Sequence, residues 1–212
     1  MSLTFYYAPM STASMTELVL DELAVPCERI KVDFKNKDPQ FLAVNPNGKV
    51  PTIVHDGVAI WESAAITIYL GETFGTDKKL WPAAGPKRGA AMKWVVWCNV
   101  SLGEAVYRRG RNTGTWTPAD HQNAKVLAQA EADIQELLGI FDKGLAGHDY
   151  VVDNDYTIAD THIHSFMDWL RFQKIDMSKF SNLNAWLARC GERPAYKKAM
   201  AAMMAAMQAH KG

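Results

Sequence analysis

Cysteine is scarce in this chain, and any imbalance of charge is missing. Only three cysteines occur, Cys27, Cys98 and Cys190, odd in number and far apart. That argues against a disulfide framework and fits a reducing compartment. Lys plus Arg and Asp plus Glu both number 23, so the formal charge is zero. There is no basic stripe of the kind that recruits nucleic acid, and no polybasic block for a membrane surface. Long apolar runs are also lacking. The longest uncharged helical stretch, Ala199 to His210, falls far short of the roughly 20 residues a membrane span needs. The opening residues Met1-Ser-Leu-Thr-Phe-Tyr-Tyr7 carry neither a charged n-region nor an apolar h-region, so a cytoplasmic protein without a secretory signal is the expectation. No internal repeat occurs, and the only compositional bias is the Ala and Met content of the last helical pattern. What is present is a chain of 212 residues, 48% hydrophobic, enough for one large domain or two small ones.

The first 80 or so residues alternate strand and helix signals. Leu3 to Tyr7 is a short aromatic strand, broken by Ala8-Pro9-Met10-Ser11. Met15, Leu18, Val19 and Leu23 recur at helical spacing within Ser14 to Ala24, and Cys27 to Val32 alternates like a strand. Phe41 to Val44 suits a short helical turn, and Asn45-Pro46-Asn47-Gly48 is a turn by composition. Thr52 to His55 and Val58 to Ile60 flank Asp56-Gly57, the strongest hairpin signal in the chain. A helix carrying Ala64, Ala65, Ile68 and Tyr69 then runs through Glu72. The order is βαβαββα, one sheet layer with helices packed on it.

Gly75 to Lys87 is rich in Gly, Pro and charge and reads as a linker. Beyond it the patterns are helical: Ala90 to Arg111, Pro118 to Leu145, Ile158 to Leu170, Leu183 to Cys190 and Ala195 to Met207. Thr157 and Asp160 stand in capping-box spacing, although the box prefers Glu or Gln at its last position. Pro194 suits a first helical turn. The expected division is a first domain over residues 1–76, a linker over 77–87 and an all-helical domain over 88–212.

One stretch carries chemistry. In Val50-Pro51-Thr52-Ile53 the proline stands at the start of a strand, the place for a residue that cannot donate to a ladder. A cis Val50–Pro51 bond would turn the Val50 N–H and C=O outward, free to pair with an extended peptide. A short way on, Glu62-Ser63 opens a helix whose first N–H groups lack intrahelical partners, an end that attracts a carboxylate. Together they describe a pocket for a small anionic peptide.

This arrangement resembles the glutathione S-transferase superfamily. The resemblance rests on Tyr6-Tyr7-Ala8-Pro9-Met10-Ser11, Asn45-Pro46-Asn47-Gly48-Lys49-Val50-Pro51-Thr52-Ile53, Trp61-Glu62-Ser63 with Ile66 and Tyr69-Leu70, and Thr157-Ile-Ala-Asp160, and it spans nearly the whole chain in order. It implies a thioredoxin-like first domain, an all-helical second domain, glutathione as co-substrate, no metal and a homodimer. It also implies that Val50 pairs its backbone with the cysteinyl unit of glutathione and that Pro51 is cis. Glu62 and Ser63 would hold the γ-glutamyl end, and Lys49 would approach the glycyl carboxylate. Ser11 matches the thiol-activating serine of the theta-like and delta-like classes. Thr12 falls where beta-like bacterial classes have a cysteine, a departure that favours thiolate stabilisation by a hydroxyl over mixed-disulfide chemistry. Tyr7 matches the catalytic tyrosine of other classes. Met10 stands where many members have glycine. The homodimer would pack the first half of one chain on the helical half of the other through a helix bearing Trp94, Trp97 and Val100. The Asn99 to Glu104 segment would then reach the other chain's glutathione site.

Each of these residues also has a plainer reading. Ser11 and Thr12 are good helix N-caps. With the surrounding pattern Ser11 is the expected catalytic hydroxyl, and Thr12 remains open. Tyr6 and Tyr7 point to opposite faces of a strand, and core packing is the better reading of Tyr7. Thr157 and Asp160 read as structural. His162 and His164, two residues apart, do not share a helix face, and no further ligand completes a metal set. Cys98 reads as a small core residue. Arg108, Arg109 and Arg111 suit a solvated helix C-terminus better than a cationic rim for an anionic co-substrate. Met10, Tyr107, Arg111, Trp116, Trp169 and Phe172 are candidates to line an apolar pocket for the second substrate between the halves. The competing function is a non-catalytic carrier of apolar ligands, or an interaction module, built on the same fold. A thiol-disulfide reductase is disfavoured, since no cysteine lies near the site loop.

Overall fold

The computed structural model describes residues 2–114 and 117–209, without the side chains of residue 203 and residues 205–209. It opens with β1 (Leu3–Tyr7), α1 (Ala13–Leu23), β2 (Glu28–Lys31), α2 (Pro39–Val44), β3 (Thr52–His55), β4 (Val58–Trp61) and α3 (Ser63–Leu70), the expected βαβαββα order. The strands form one sheet in the order β2-β1-β3-β4. β1 runs parallel to β2 and antiparallel to β3, and β4 is antiparallel to β3. Alternation along β1 buries Leu3 and Phe5, and Phe5 pairs in register with the buried Ile53 of β3. The opposite face carries Tyr6, whose ring packs against Phe41 of α2 at 5.3 Å. The β3–β4 hairpin turns at Asp56 and Gly57, with φ of 46° and 85°. Two successive left-handed residues are what a tight hairpin of this twist requires.

Among the described residues, six further α-helices build the second half: α4 (Pro86–Trp97), α5 (Gly103–Gly110), α6 (Ala124–Gly144), α7 (Ile158–Phe172), α8 (Ser181–Gly191) and α9 (Pro194–Ala209). α7 is the central helix, packed against α1, α4 and α8. Its start is a true capping box. Thr157 accepts from the Ala159 N–H at 3.3 Å, and Asp160 accepts from the Thr157 N–H at 2.9 Å. Asp160 serves here although its side chain is one methylene shorter than that of Glu. It also accepts from the Val151 N–H and the Trp186 indole, both at 2.9 Å, and so ties α8 and the preceding turn to α7.

Two helix boundaries differ from expectation for local reasons, and the expected linker is packed against both halves. Trp81 is buried there, packed so closely on Gly71 that a Cβ at that glycine would lie 2.5 Å from the indole. The Leu80 carbonyl also accepts from the Ile158 N–H at 2.9 Å. α4 starts inside the linker, at Pro86, because proline is at home in a first turn. The pattern from 118 to 145 divides into a short 3-10 turn and α6, whose cap is Asn123, accepting from the N–H groups of Lys125 and Val126. Single π-turns occupy Gly71–Gly75 after α3 and Cys98–Leu102 between α4 and α5. Such insertions often mark functional positions.

Candidate glutathione site

The loop before β3 is built around Asn45, which is almost fully buried. Its amide nitrogen donates to the Lys49 carbonyl at 2.8 Å and to the Thr52 hydroxyl at 2.9 Å. Its amide oxygen accepts from the Asn47 N–H at 3.0 Å. Gly48 takes a φ of 60° within the same loop, a conformation glycine adopts at little cost. The Val50–Pro51 bond is cis. The Val50 N–H has no hydrogen-bond partner among the described residues, so the edge keeps a donor for an added extended peptide. Lys49 is exposed beside it.

Across from Val50 lies the turn between β1 and α1. Ser11 and Thr12 are neighbours with different commitments. The Ser11 hydroxyl donates to the Ala8 carbonyl at 2.7 Å and accepts from the Ala13 N–H at 3.2 Å, so it is engaged inside its own turn. Thr12 is exposed, and its hydroxyl donates to the Val50 carbonyl at 3.3 Å. Met10 before them has φ of 56° and is largely exposed, the left-handed conformation that glycine takes more cheaply. Tyr7 is half-buried and stacks on Phe5 at 5.7 Å, the packing expected for it.

Ser63 begins α3 and is buried, while Glu62 before it is exposed. Glu62 holds φ 70° and ψ 116°, a sparsely populated region that costs about 1–3 kcal/mol and tends to persist where a site demands it. The Ser63 hydroxyl accepts from the Asn99 amide at 2.6 Å. The Asn99 amide oxygen meets His162 Nε2 at 2.7 Å, and His162 Nδ1 meets the Thr67 hydroxyl at 2.8 Å. Asn99 thus reaches the Ser63 of its own chain. The π-turn at Cys98–Leu102 carries Asn99. Burial pushes the His162 imidazolium down to about 3, so the ring is neutral near pH 7. Sequence reasoning weighed His162 only as a metal ligand and missed this role; nothing local in the sequence joins residues 63, 67, 99 and 162. Among the described residues no cluster of His, Cys, Asp and Glu could hold a metal ion.

The candidate second-substrate residues are only partly brought together. Tyr107 and Arg111 meet at the end of α5, with the guanidinium 4.9 Å from the ring centre. Trp169 and the exposed Phe172 lie near the end of α7, with Trp169 packed on Phe166. A contact from Arg109 to Gln173 at 3.4 Å joins these two helix ends. Trp116 lies outside the described residues. Arg108 is held by Glu104 and Asp133, and Arg109 by Glu131. These two arginines therefore brace α5 against α6 and do not form a cationic rim. Cys98 is fully buried, and burial pushes its thiol far up, in keeping with a core role. Trp94 and Trp97 also belong to the core, both packed on Phe141; the exposed large hydrophobic residues of that helix and its π-turn are Val96 and Val100.

Comparison with known proteins bears on the family and the fold. Residues 1–72 match the glutathione S-transferase N-terminal domain and residues 104–194 the C-terminal domain. The chain is 32% identical over 187 residues to glutathione S-transferase GstB of Escherichia coli K12, covering 85% of this chain and 88% of that protein. It is 32% identical over 165 residues to glutathione S-transferase 1 of Schizosaccharomyces pombe, covering 74% of this chain and 69% of that one. Among solved structures, a sphingomonad glutathione S-transferase complexed with glutathione superposes with a TM-score of 0.79 at 26% identity, covering 94% of this chain and 98% of that one. With both domains matched in order, the chain belongs to the glutathione S-transferase family.

Proposed function

We propose that this chain binds glutathione across the Val50 edge and the start of α3 and transfers its thiolate to an apolar electrophile held between the two halves. The cysteinyl unit pairs with the Val50 backbone, the γ-glutamyl carboxylate meets Ser63 and the N-terminal turn of α3 beside Glu62, and Lys49 faces the glycyl carboxylate. Met10, Tyr107, Arg111, Trp169 and Phe172 border the electrophile. The relative solved with glutathione bound supports the choice of co-substrate.

The observation that carries this reading is the 3.3 Å contact from the Thr12 hydroxyl to the Val50 carbonyl. A peptide docked on Val50 brings its cysteine side chain to the same place. Only a few per cent of a free thiol with a pKa near about 8.5 is thiolate at pH 7. Lowering that pKa by about two units takes about 2.7 kcal/mol of preference for the anion. A hydroxyl donor with the start of α1 behind it supplies that order of energy. Thr12 is the better donor of the two candidates, since its bond to Val50 is long at 3.3 Å, whereas Ser11 would have to abandon a 2.7 Å bond to Ala8. Ser11 then acts as the cap that shapes the turn. The thiolate forms the new C–S bond as the electrophile's leaving group departs with its electron pair, or as a conjugated double bond takes up the charge and then a proton.

Titration calorimetry with glutathione, followed by mass spectrometry of glutathione incubated with a panel of electrophiles, tests the reading. Saturable binding with conjugates formed at enzyme-dependent rates is the expected result. Binding without turnover across the panel would favour the carrier, and no binding of glutathione would remove the transferase reading. A homodimer completes the proposal, with Val96 and Val100 as its exposed apolar patch. Sedimentation at micromolar concentration should give the mass of two chains, and Val100→Asp should shift it toward one.

A further inference from the structure

Four polar groups from both halves of the chain form an unbroken line: Thr67, His162, Asn99 and Ser63. Thr67 and His162 are fully buried, and Ser63 nearly so. We infer that Thr67, His162 and Asn99 are positioning residues whose hydrogen bonds all run one way, so that the Ser63 hydroxyl is left with its proton free to donate to a bound carboxylate. The inference rests on the proposed binding of the γ-glutamyl carboxylate at Ser63.

The direction follows from counting donors. A neutral imidazole donates at one nitrogen and accepts at the other. Nε2 faces the Asn99 carbonyl oxygen at 2.7 Å, so Nε2 bears the proton. Nδ1 is therefore bare and accepts from the Thr67 hydroxyl at 2.8 Å. Asn99 spends an amide hydrogen on the Ser63 oxygen at 2.6 Å. Ser63 is an acceptor within the line, and its one hydroxyl proton points out of it, at the N-terminus of α3. Turning the Asn99 amide over would reverse every bond. Ser63 would then donate inward and present only lone pairs to an anion, which repels a carboxylate. The line therefore sets whether Ser63 attracts or rejects the ligand's charge, and the setting is made by residues that never touch the ligand. Two of them belong to the helical half. That half then contributes to binding of glutathione as well as of the electrophile.

Long-range ¹⁵N NMR of the full-length protein reads the tautomer of His162 directly, and steady-state kinetics reads its consequence. The expected results are a protonated Nε2 with a bare Nδ1, and an Asn99→Asp variant whose carboxylate captures the Ser63 proton. That variant should show the KM for glutathione raised about tenfold, the order of one charge-assisted hydrogen bond, with kcat at saturation nearly unchanged. His162→Gln can accept from Thr67 and donate to Asn99, so it should hold KM within about twofold of the parent, while His162→Leu should not. A bare Nε2 in the parent, or Asn99→Asp binding glutathione as tightly as the parent, would overturn the inference and leave the glutathione site standing. A parent protein that binds no glutathione would overturn the site and the inference together.

Discussion

At the scale of the residue, a side chain's type proved easier to read than its commitments. Val50, Pro51 and Ser63 stand where the sequence suggested, because cis-proline loops and helix starts are local features. The sequence favours Ser11 over Thr12 as the catalytic hydroxyl, and it is their partners that lead us to propose Thr12 instead. Their difference is one of partners, Ala8 within the turn for one and Val50 from a distant loop for the other, and the second partner is a tertiary fact. The same holds for Asn99, which no local pattern links to Ser63. In the proposed pose the Ser63 hydroxyl meets a part of glutathione that does not react, so it should hold ground and transition states alike. Ser63→Ala is expected to raise KM for glutathione several-fold with kcat at saturation little changed. Full kinetics on the variant checks this, and an unaltered KM would place the γ-glutamyl end elsewhere.

At the scale of the element, strands and caps were legible and helix boundaries less so. The Asp56-Gly57 hairpin and the Thr157–Asp160 cap are short motifs with a single geometric solution, and both appear as read. The starts of α4 and α6 were missed because Pro86 and Asn123 sit in stretches whose composition resembles a loop, although each is a helix-start residue. Asp160 shows how much a cap can carry once it is buried. It accepts from the backbone of Val151 and Thr157, the Thr157 hydroxyl and the Trp186 indole. Asp160→Ala would leave several of those donors without partners, each worth about 1–3 kcal/mol. A loss of about 3–5 kcal/mol in chemical denaturation is expected, with soluble yield falling accordingly. A loss under about 1 kcal/mol would mean that water replaces the carboxylate, contrary to its full burial.

At the scale of the whole molecule, two halves share buried polar groups as well as an apolar core, and this gives stability a pH signature. Burial holds His162 down to about 3 and lowers His164 as well, despite the nearby Asp168. A depressed histidine contributes stability that is complete above its unfolded value, about 6.5, and drains away as pH falls toward its folded value. Asp160 works the other way. Burial raises it to about 6 against its hydrogen bonds, so its contribution grows as pH falls from there toward the unfolded value near 3.9. The two effects overlap, and a difference between variants separates them. His162→Gln cannot titrate, so the stability it loses between pH 7.5 and 5.5 should be smaller than the parent's by about 1.4 kcal/mol, one pH unit below the unfolded histidine value. Denaturant titrations at the two pH values check this; equal losses would mean that His162 is not the neutral buried group described here.

The central claim is that a hydroxyl beside Val50 holds the thiolate of glutathione, and the pKa of the bound thiol reports on it most directly. The ultraviolet absorbance of the thiolate, followed across pH for glutathione bound to the parent, Ser11→Ala and Thr12→Ala proteins, gives that value in each case. The account predicts a bound thiol titrating about two units below its free value in the parent. It also predicts a rise of about one to two units in Thr12→Ala, near 1.4 to 2.7 kcal/mol of lost anion stabilisation, and a clearly smaller rise in Ser11→Ala. A larger shift in Ser11→Ala would move the catalytic role to the serine. No shift in either variant would contradict the hydroxyl mechanism itself.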